Sequence, residues 1–221
     1  MPRRELFKTR ALPDVPFAEN LVFYAPLTEG DLTDHISGTS PTTGAAGTSV
    51  TWNTGKGMYL FAFDETASVW TGAAAVYNNP AVLSNIQALC GDEQPCALVI
   101  QCEIIAQYGN RYGEFTACYD SQSHRSRLDL CSQRLNGYAE NDSYVIYPTG
   151  FNKLAIVYEA GKRRSYVNGT LGKEMDWVQG TLNLDGVYIA LKLSNNYRLQ
   201  CYVKDIRIYN RSFTAQEVAQ L

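Results

Sequence analysis

The sequence predicts an all-β fold, a two-sheet antiparallel jelly-roll sandwich with a short C-terminal helix. Three observations predict it. Short runs of alternating apolar and polar residues recur between turn signals down the chain. The aromatic load is heavy, with 15 Tyr, 8 Phe and 3 Trp, and beside 17 Gly it favours strands and turns over helices. Long helical periodicity is missing. At 221 residues, 45% hydrophobic and 19% charged, the chain has ample apolar surface for one core, and β-sandwiches routinely reach this size as one unit.

Residues 1–19 carry Arg3, Arg4, Lys8 and Arg10 and then Pro13 and Pro16 without alternation, so they are expected to form a flexible or draped arm. One domain is expected over residues 20–221. LVFYAPL places Leu21, Phe23, Ala25 and Leu27 on one face of a first strand. Residues 28–49, rich in Gly, Thr, Ser and Asp, predict a surface loop. MYLFAF, residues 58–63, predicts a buried strand, and most of 64–96 is expected to be loop, with a turn at Asn78-Asn79-Pro80.

Residues 97–108 predict one long strand with Ile100, Cys102 and Ile104 on a common face. Strands are expected near 112–119, 127–131 and 143–147. Residues 153–160 and 163–168 flank Ala160-Gly161-Lys162 as a hairpin. Asn168-Gly169 supplies the positive φ angles of a type I′ turn leading into 170–175. Residues 187–193 and 199–209 complete the strands. Thr214-Ala215-Gln216-Glu217 is a capping box, with Phe213 and Val218 placed as its hydrophobic staple, so one short helix closes the chain.

Composition bounds the function. A net charge of −3 argues against a surface that tracks phosphate backbones, so nucleic acid is not an expected partner. The N-terminus lacks the apolar stretch of a classical signal peptide, and no window has the roughly 20 apolar residues of a membrane span. Cytoplasmic synthesis without membrane insertion is expected, with a virion-associated or non-classically exported destination. Without an export signal the Asn-x-Ser/Thr strings at Asn141, Asn168 and Asn210 carry no weight. Six cysteines, with no C-x-x-C pair, read as buried thiols; Cys90 and Cys96, flanking a turn, would be the local candidates for a bridge in an oxidising setting.

Three stretches resemble, in order, the laminin-G-like members of the concanavalin A-like lectin and glucanase superfamily. LVFYAPLTEGDLTDHISG, residues 21–38, is similar to that family's opening strand and Asp-rich loop. FNKLAIVYEAGKRRSYVNGTLG, residues 151–172, is similar to its central hairpin, and VKDIRIYNRSFTAQEVAQL, residues 203–221, to its closing strand and helical turn. The resemblance implies the sandwich. It leaves function open, because lectins, hydrolases, adhesion modules and structural domains share this fold.

A retaining glycosidase of this fold would need two carboxylates roughly 5–5.5 Å apart across the sugar, placed on one strand face at i and i+4 with an acid between. The expected Glu-x-Asp-x-Glu string is absent; the nearest approaches are Glu114 with Asp120 and the isolated Asp129. No Gly-x-Ser-x-Gly occurs, and His35 and His124 read as solvated loop histidines. Hydrolysis is therefore not expected. Asp31 and Asp34 could supply the hard oxygen ligands of Ca²⁺, or could simply cap turns. The resemblance adds a structural calcium at Asp34 as an expectation.

Sugar binding needs an aromatic plate and groups that hydrogen-bond hydroxyls. Trp70, Tyr77, Asn78, Arg111, Tyr112, Trp177 and Tyr197 fall in or beside predicted loops and are the candidate ligand contacts. The expected function is a non-catalytic, lectin-like module recognising a polysaccharide or cell-surface glycan. The competing expectation is a phage tail or fibre-type attachment protein, whose partners would be other structural proteins of an assembly.

Overall fold

The computed structural model describes residues 15–27, 30–43, 51–63, 71–89, 91, 94–108, 113–120, 125–126, 129–132, 148–159, 161–177, 182–193 and 198–221. Two antiparallel sheets carry the chain. The larger sheet runs β12 (Thr170–Asp176), β11 (Lys162–Val167), β10 (Gly150–Glu159), β6 (Cys96–Tyr108), β14 (Arg198–Tyr209), β4 (Gly57–Phe63) and β3 (Thr51–Asn53), with β1 (Leu21–Ala25) also paired to β14. The smaller runs β2 (Thr42–Thr43), β5 (Thr71–Tyr77), β13 (Gly186–Leu193), β7 (Gly113–Asp120) and β8 (Arg125–Ser126), with β9 (Asp129–Ser132) also on β7.

The larger sheet is buried on both faces over part of its area. Its inner face packs Phe23, Leu98, Ile100, Cys102, Ile104, Ile156 and Val203 against Ala75, Tyr77, Val187 and Ile189 of the smaller sheet. Ile100, Cys102 and Ile104 thus share the inner face as their alternation predicts. The thiols of Cys102 and Cys201 are free and fully buried; burial, with Asp205 nearby, pushes Cys102 up to about 12. Cys90 lies outside the described residues.

On the outer face a second cluster gathers Ala97, Val99, Ala155, Val157, Tyr166 and Tyr209 under Phe213, Val218 and Leu221, with Val15 and Phe17 against it. The cover is the short helix α2 (Ala215–Val218). Both bonds of its capping box are made, and the staple residues Phe213 and Val218 meet in this cluster. Residues 15–20 drape over the same face, where the Tyr209 hydroxyl donates to the Pro16 carbonyl at 3.2 Å.

Bulges decide which side chains face which way. A shift between Val203 and Asp205 reverses the alternation of β14, so Ile206 and Ile208 stay inward while Asp205 and Arg207 pass to the outer face. There Arg207 donates to Asp205 at 2.8 Å and to the Leu221 carbonyl at 3.1 Å. Burial raises the Asp205 carboxyl above its ordinary range despite Arg207. Another shift, between Leu21 and Phe23, sends Leu21 to the outer cluster, so the expected common face of β1 begins only at Phe23.

Most predicted strands are present, and the turns behave as their residues require. Asn168 (φ 51) and Gly169 (φ 77) carry the β11–β12 turn. Gly57 (φ 103) lets β4 pass β14, where a Cβ would stand 2.2 Å from the Val203 carbonyl oxygen. The expectation of loop over most of 64–96 is overturned. That stretch holds β5 and the helix α1 (Pro80–Ile86), and Asn79 is the helix N-cap, accepting from the Ala81 and Val82 amides. The run Ala73–Ala75 gives no alternation to detect, so pairing with β13 decides the strand. The strand expected near 143–147 lies outside the described residues. Among the described residues no helix is long and apolar enough to cross a membrane.

Candidate functional site

The Asp-rich loop is organised around one carboxylate. Asp34 is fully buried, and its Oδ1 accepts the amides of Tyr24 and Ile36 at 3.0 and 3.1 Å. Its Oδ2 accepts the Ser37 amide and hydroxyl. Those four donors fill the roughly four lone-pair positions of a carboxylate. The backbone closes the same loop through Asp34 and Thr39.

Asp31 accepts from the Thr33 amide at 2.9 Å and lies 2.7 Å from His35 Nε2. Partial burial works to raise its carboxyl, but the hydrogen bonds from His35 and Thr33 outweigh that and hold it below the usual range. His35 is therefore a partnered residue, 18% exposed and edge-on to Tyr24, where a solvated one was expected. Calcium does not fit this arrangement, because Asp34 has no lone pair left to give. Among the described residues no three acidic, His or Cys side chains gather as a metal-holding group.

Tyr77, expected to touch ligand, closes β5 with its ring fully buried and edge-on to Phe23 at 4.8 Å. Its hydroxyl donates to the Leu32 carbonyl at 2.7 Å, so it props the Asp-rich loop from beneath. Burial pushes its phenol far up, and the charges of Asp34 and Asp31 add to the shift. Asn78 stands exposed beside it.

Trp177 lies elsewhere, just after β12 at the edge of the larger sheet. Its amide donates to the Gly161 carbonyl at 2.9 Å and its carbonyl accepts from the Tyr158 hydroxyl at 3.3 Å, so its backbone is held from two sides. The half-buried indole carries the Arg163 guanidinium 4.9 Å from its centroid. Register explains the company. Arg163 pairs with Tyr158 and Ser165 with Ile156, both inner-face residues, so the hairpin turns two polar side chains of β11 inward. Ser165 is 2% exposed, and its hydroxyl has no hydrogen-bond partner among the described residues.

The structure therefore joins Asp31, Asp34 and Tyr77 in one neighbourhood, leaves Asn78 exposed just beyond β5, and sets Trp177 apart on another sheet edge. Trp70, Arg111, Tyr112, Tyr197 and His124 lie outside the described residues. Arg163 and Ser165 were missed in the sequence, although the predicted hairpin, closed by the Glu159–Lys162 pair, sets the register that faces both inward.

Several described carboxylates are bound to cations: Glu103 to Lys56, Glu159 and Glu174 to Arg164, Asp176 to Lys162, Glu217 to Arg211 and Asp205 to Arg207. Glu114 and Asp120 sit six residues apart on β7. Strand rise puts about 20 Å between their backbones. A retaining glycosidase holds its carboxylates roughly 5–5.5 Å apart.

Residues 101–219 match the laminin G-type model of the concanavalin A-like lectin/glucanases superfamily. Comparison with curated protein sequences returns no match. Among solved structures, the binding domain of botulinum neurotoxin DC in complex with rat synaptotagmin II superposes with a TM-score of 0.59 at 14% identity, over 91% of this chain and 50% of that one. Trypanosoma rangeli sialidase in complex with sialic acid gives 0.61 at 14%, over 92% and 32%. A botulinum neurotoxin type C structure, titled for cell entry dependent on interaction with two ganglioside molecules, gives 0.55 at 12%, over 91% and 50%. The chain spans about half the length of the toxin chains and a third of the sialidase. At these identities the likeness is one of fold.

Proposed function

The chain belongs to the concanavalin A-like lectin/glucanases superfamily, and from that premise we propose that it is a non-catalytic glycan-binding module whose ligand is a polysaccharide or cell-surface glycan. The observation that carries this reading is the edge position of Trp177, a half-buried indole fixed by its backbone hydrogen bonds and by Arg163. An indole held in place and stacked against the buried Arg163 guanidinium offers a plate for the apolar face of a sugar ring. The engagement of several described carboxylates with cations supports binding over hydrolysis. Ganglioside and sialic acid in the titles of fold neighbours point to the same ligand class.

A glycan array with wild type, Trp177→Ala and Ser165→Ala tests it. Wild type should bind a related set of glycans saturably, Trp177→Ala should bind them more weakly, and Ser165→Ala, whose hydroxyl is buried, should bind as wild type does. Ser165→Ala should at the same time raise stability by about 1 kcal/mol, because it deletes a buried unsatisfied hydroxyl. Binding that Trp177→Ala leaves unchanged, or a blank array on folded protein, would overturn the reading.

A further inference from the structure

The described residues cover the outer face of the larger sheet over only part of its width. Away from α2, four neighbouring strands carry one transverse row. Tyr59 of β4 pairs with Tyr202 of β14, Tyr202 with Glu103 of β6, and Glu103 with Phe151 of β10. Tyr59, Tyr202 and Glu103 point away from the core, since their chain neighbours Met58, Leu60, Cys201, Val203, Cys102 and Ile104 fill it, and Phe151 lies opposite Glu103 on the same face. Phe151 is 57% exposed, the largest exposure among the described large hydrophobic residues.

Each ring is held. Tyr59 and Tyr202 lie 5.3 Å apart, the Lys56 ammonium stands over Tyr202 at 5.4 Å while bonding Glu103 at 3.0 Å, and Lys204 stands over Phe151 at 5.9 Å. Lys204 owes its place to the β14 bulge described above.

The geometry points to a second binding surface here, for an extended, uncharged β-linked polysaccharide chain lying across the strands. Tyr202 and Phe151 are two strands apart, so their rings recur at roughly 9–10 Å. That is the interval at which like-facing pyranose rings recur along an extended β-linked hexosan. Ring faces take the apolar sides of the sugars, and Lys56, Glu103 and Lys204 supply donors and an acceptor for hydroxyls. Charges of both signs along the row favour a neutral polymer over a polyanion. They also argue against a second copy of the chain, because a stable self-interface has a charge-depleted, continuous apolar centre. The surface is separate from the Trp177 site on the inner face and does not depend on it.

The test is affinity electrophoresis and calorimetry with mixed-linkage β-glucan and with short oligosaccharides, on wild type, Phe151→Ala, Tyr202→Ala and Trp177→Ala, with sedimentation in parallel. Phe151→Ala removes an exposed ring and leaves the fold intact. Each outer-face variant should weaken β-glucan binding roughly tenfold, the loss of one anchor, and should leave Trp177-dependent binding of short glycans unchanged. A blank glycan array with intact, Phe151-dependent β-glucan binding would sink the inner-edge site and sustain this one. Unchanged β-glucan binding in both outer-face variants would overturn the proposal. So would a dimer in wild type that Phe151→Ala dissociates, since the face would then be an interface between copies.

Discussion

A carboxylate whose lone pairs are all taken by protein donors is unusually intolerant of replacement, and Asp34 is in that position. Removing it strands the amides of Tyr24, Ile36 and Ser37 in a buried loop. Asp34→Ala should cost about 3 kcal/mol. Asp34→Asn should cost about 2 kcal/mol, because one acceptor becomes an NH₂ group facing donors. Chemical denaturation measures both. Chelator or added calcium should leave the wild-type melting temperature unchanged; a calcium-dependent rise would show that the loop rearranges around an ion. The sequence allows either role for Asp34, since a turn cap and a calcium ligand draw on the same residue types, and only counting donors around each oxygen separates them. Tyr77 teaches the same lesson. Its position next to Asn78 suggests a loop, whereas its burial follows from pairing with β13, which local sequence does not encode.

Elements were legible where their signals are local. The Ala160-Gly161-Lys162 hairpin, the Asn168-Gly169 turn and the Thr214–Glu217 capping box each depend on a few adjacent residues, and each is present. The helix α1 had a local signal too, Asn79 before Pro80, but that pair also marks turns. The bulges at Leu21 and Lys204 left no trace, because they answer to the neighbouring strand. Thr214→Ala should lower stability by about 1 kcal/mol through the lost cap. Gly57→Ala should lower it by at least about 3 kcal/mol, since the new methyl group meets the Val203 carbonyl in a backbone conformation that L-residues avoid. Thermal melts of the two variants would rank them, and equal losses would show that β4 moves aside at Gly57.

Over the whole molecule, carboxyls of opposite tendency should shape the dependence of stability on pH. Hydrogen bonds hold Glu217 below its ordinary value, and Asp31 also lies below its own. Their contribution is present above the unfolded values of 4.5 and 3.8 and is lost as pH falls through the lower folded values. Asp205 has the opposite sign: its carboxyl is raised, the folded chain holds its proton more tightly, and stability declines as pH rises from 3.8 towards the raised value. Melting temperatures across roughly pH 2 to 7 should therefore lose slope below 3.8 in Asp31→Asn and above it in Asp205→Asn. Unchanged slopes would remove these groups from the account. The joining of residues 15–20 to 209–221 has a mechanical consequence. Phe17 lies 5.1 Å from Phe213 under the Arg211 guanidinium, the Asn210 amide donates to the Asn20 carbonyl, and Leu21 is paired with Tyr209 where β1 begins and β14 ends. Tension applied between these two segments would first strip that clasp and then open β1 from β14 one hydrogen bond at a time, like a zipper. The module should therefore yield to such a pull at low force, whereas a load along the strands would be shared by the whole ladder.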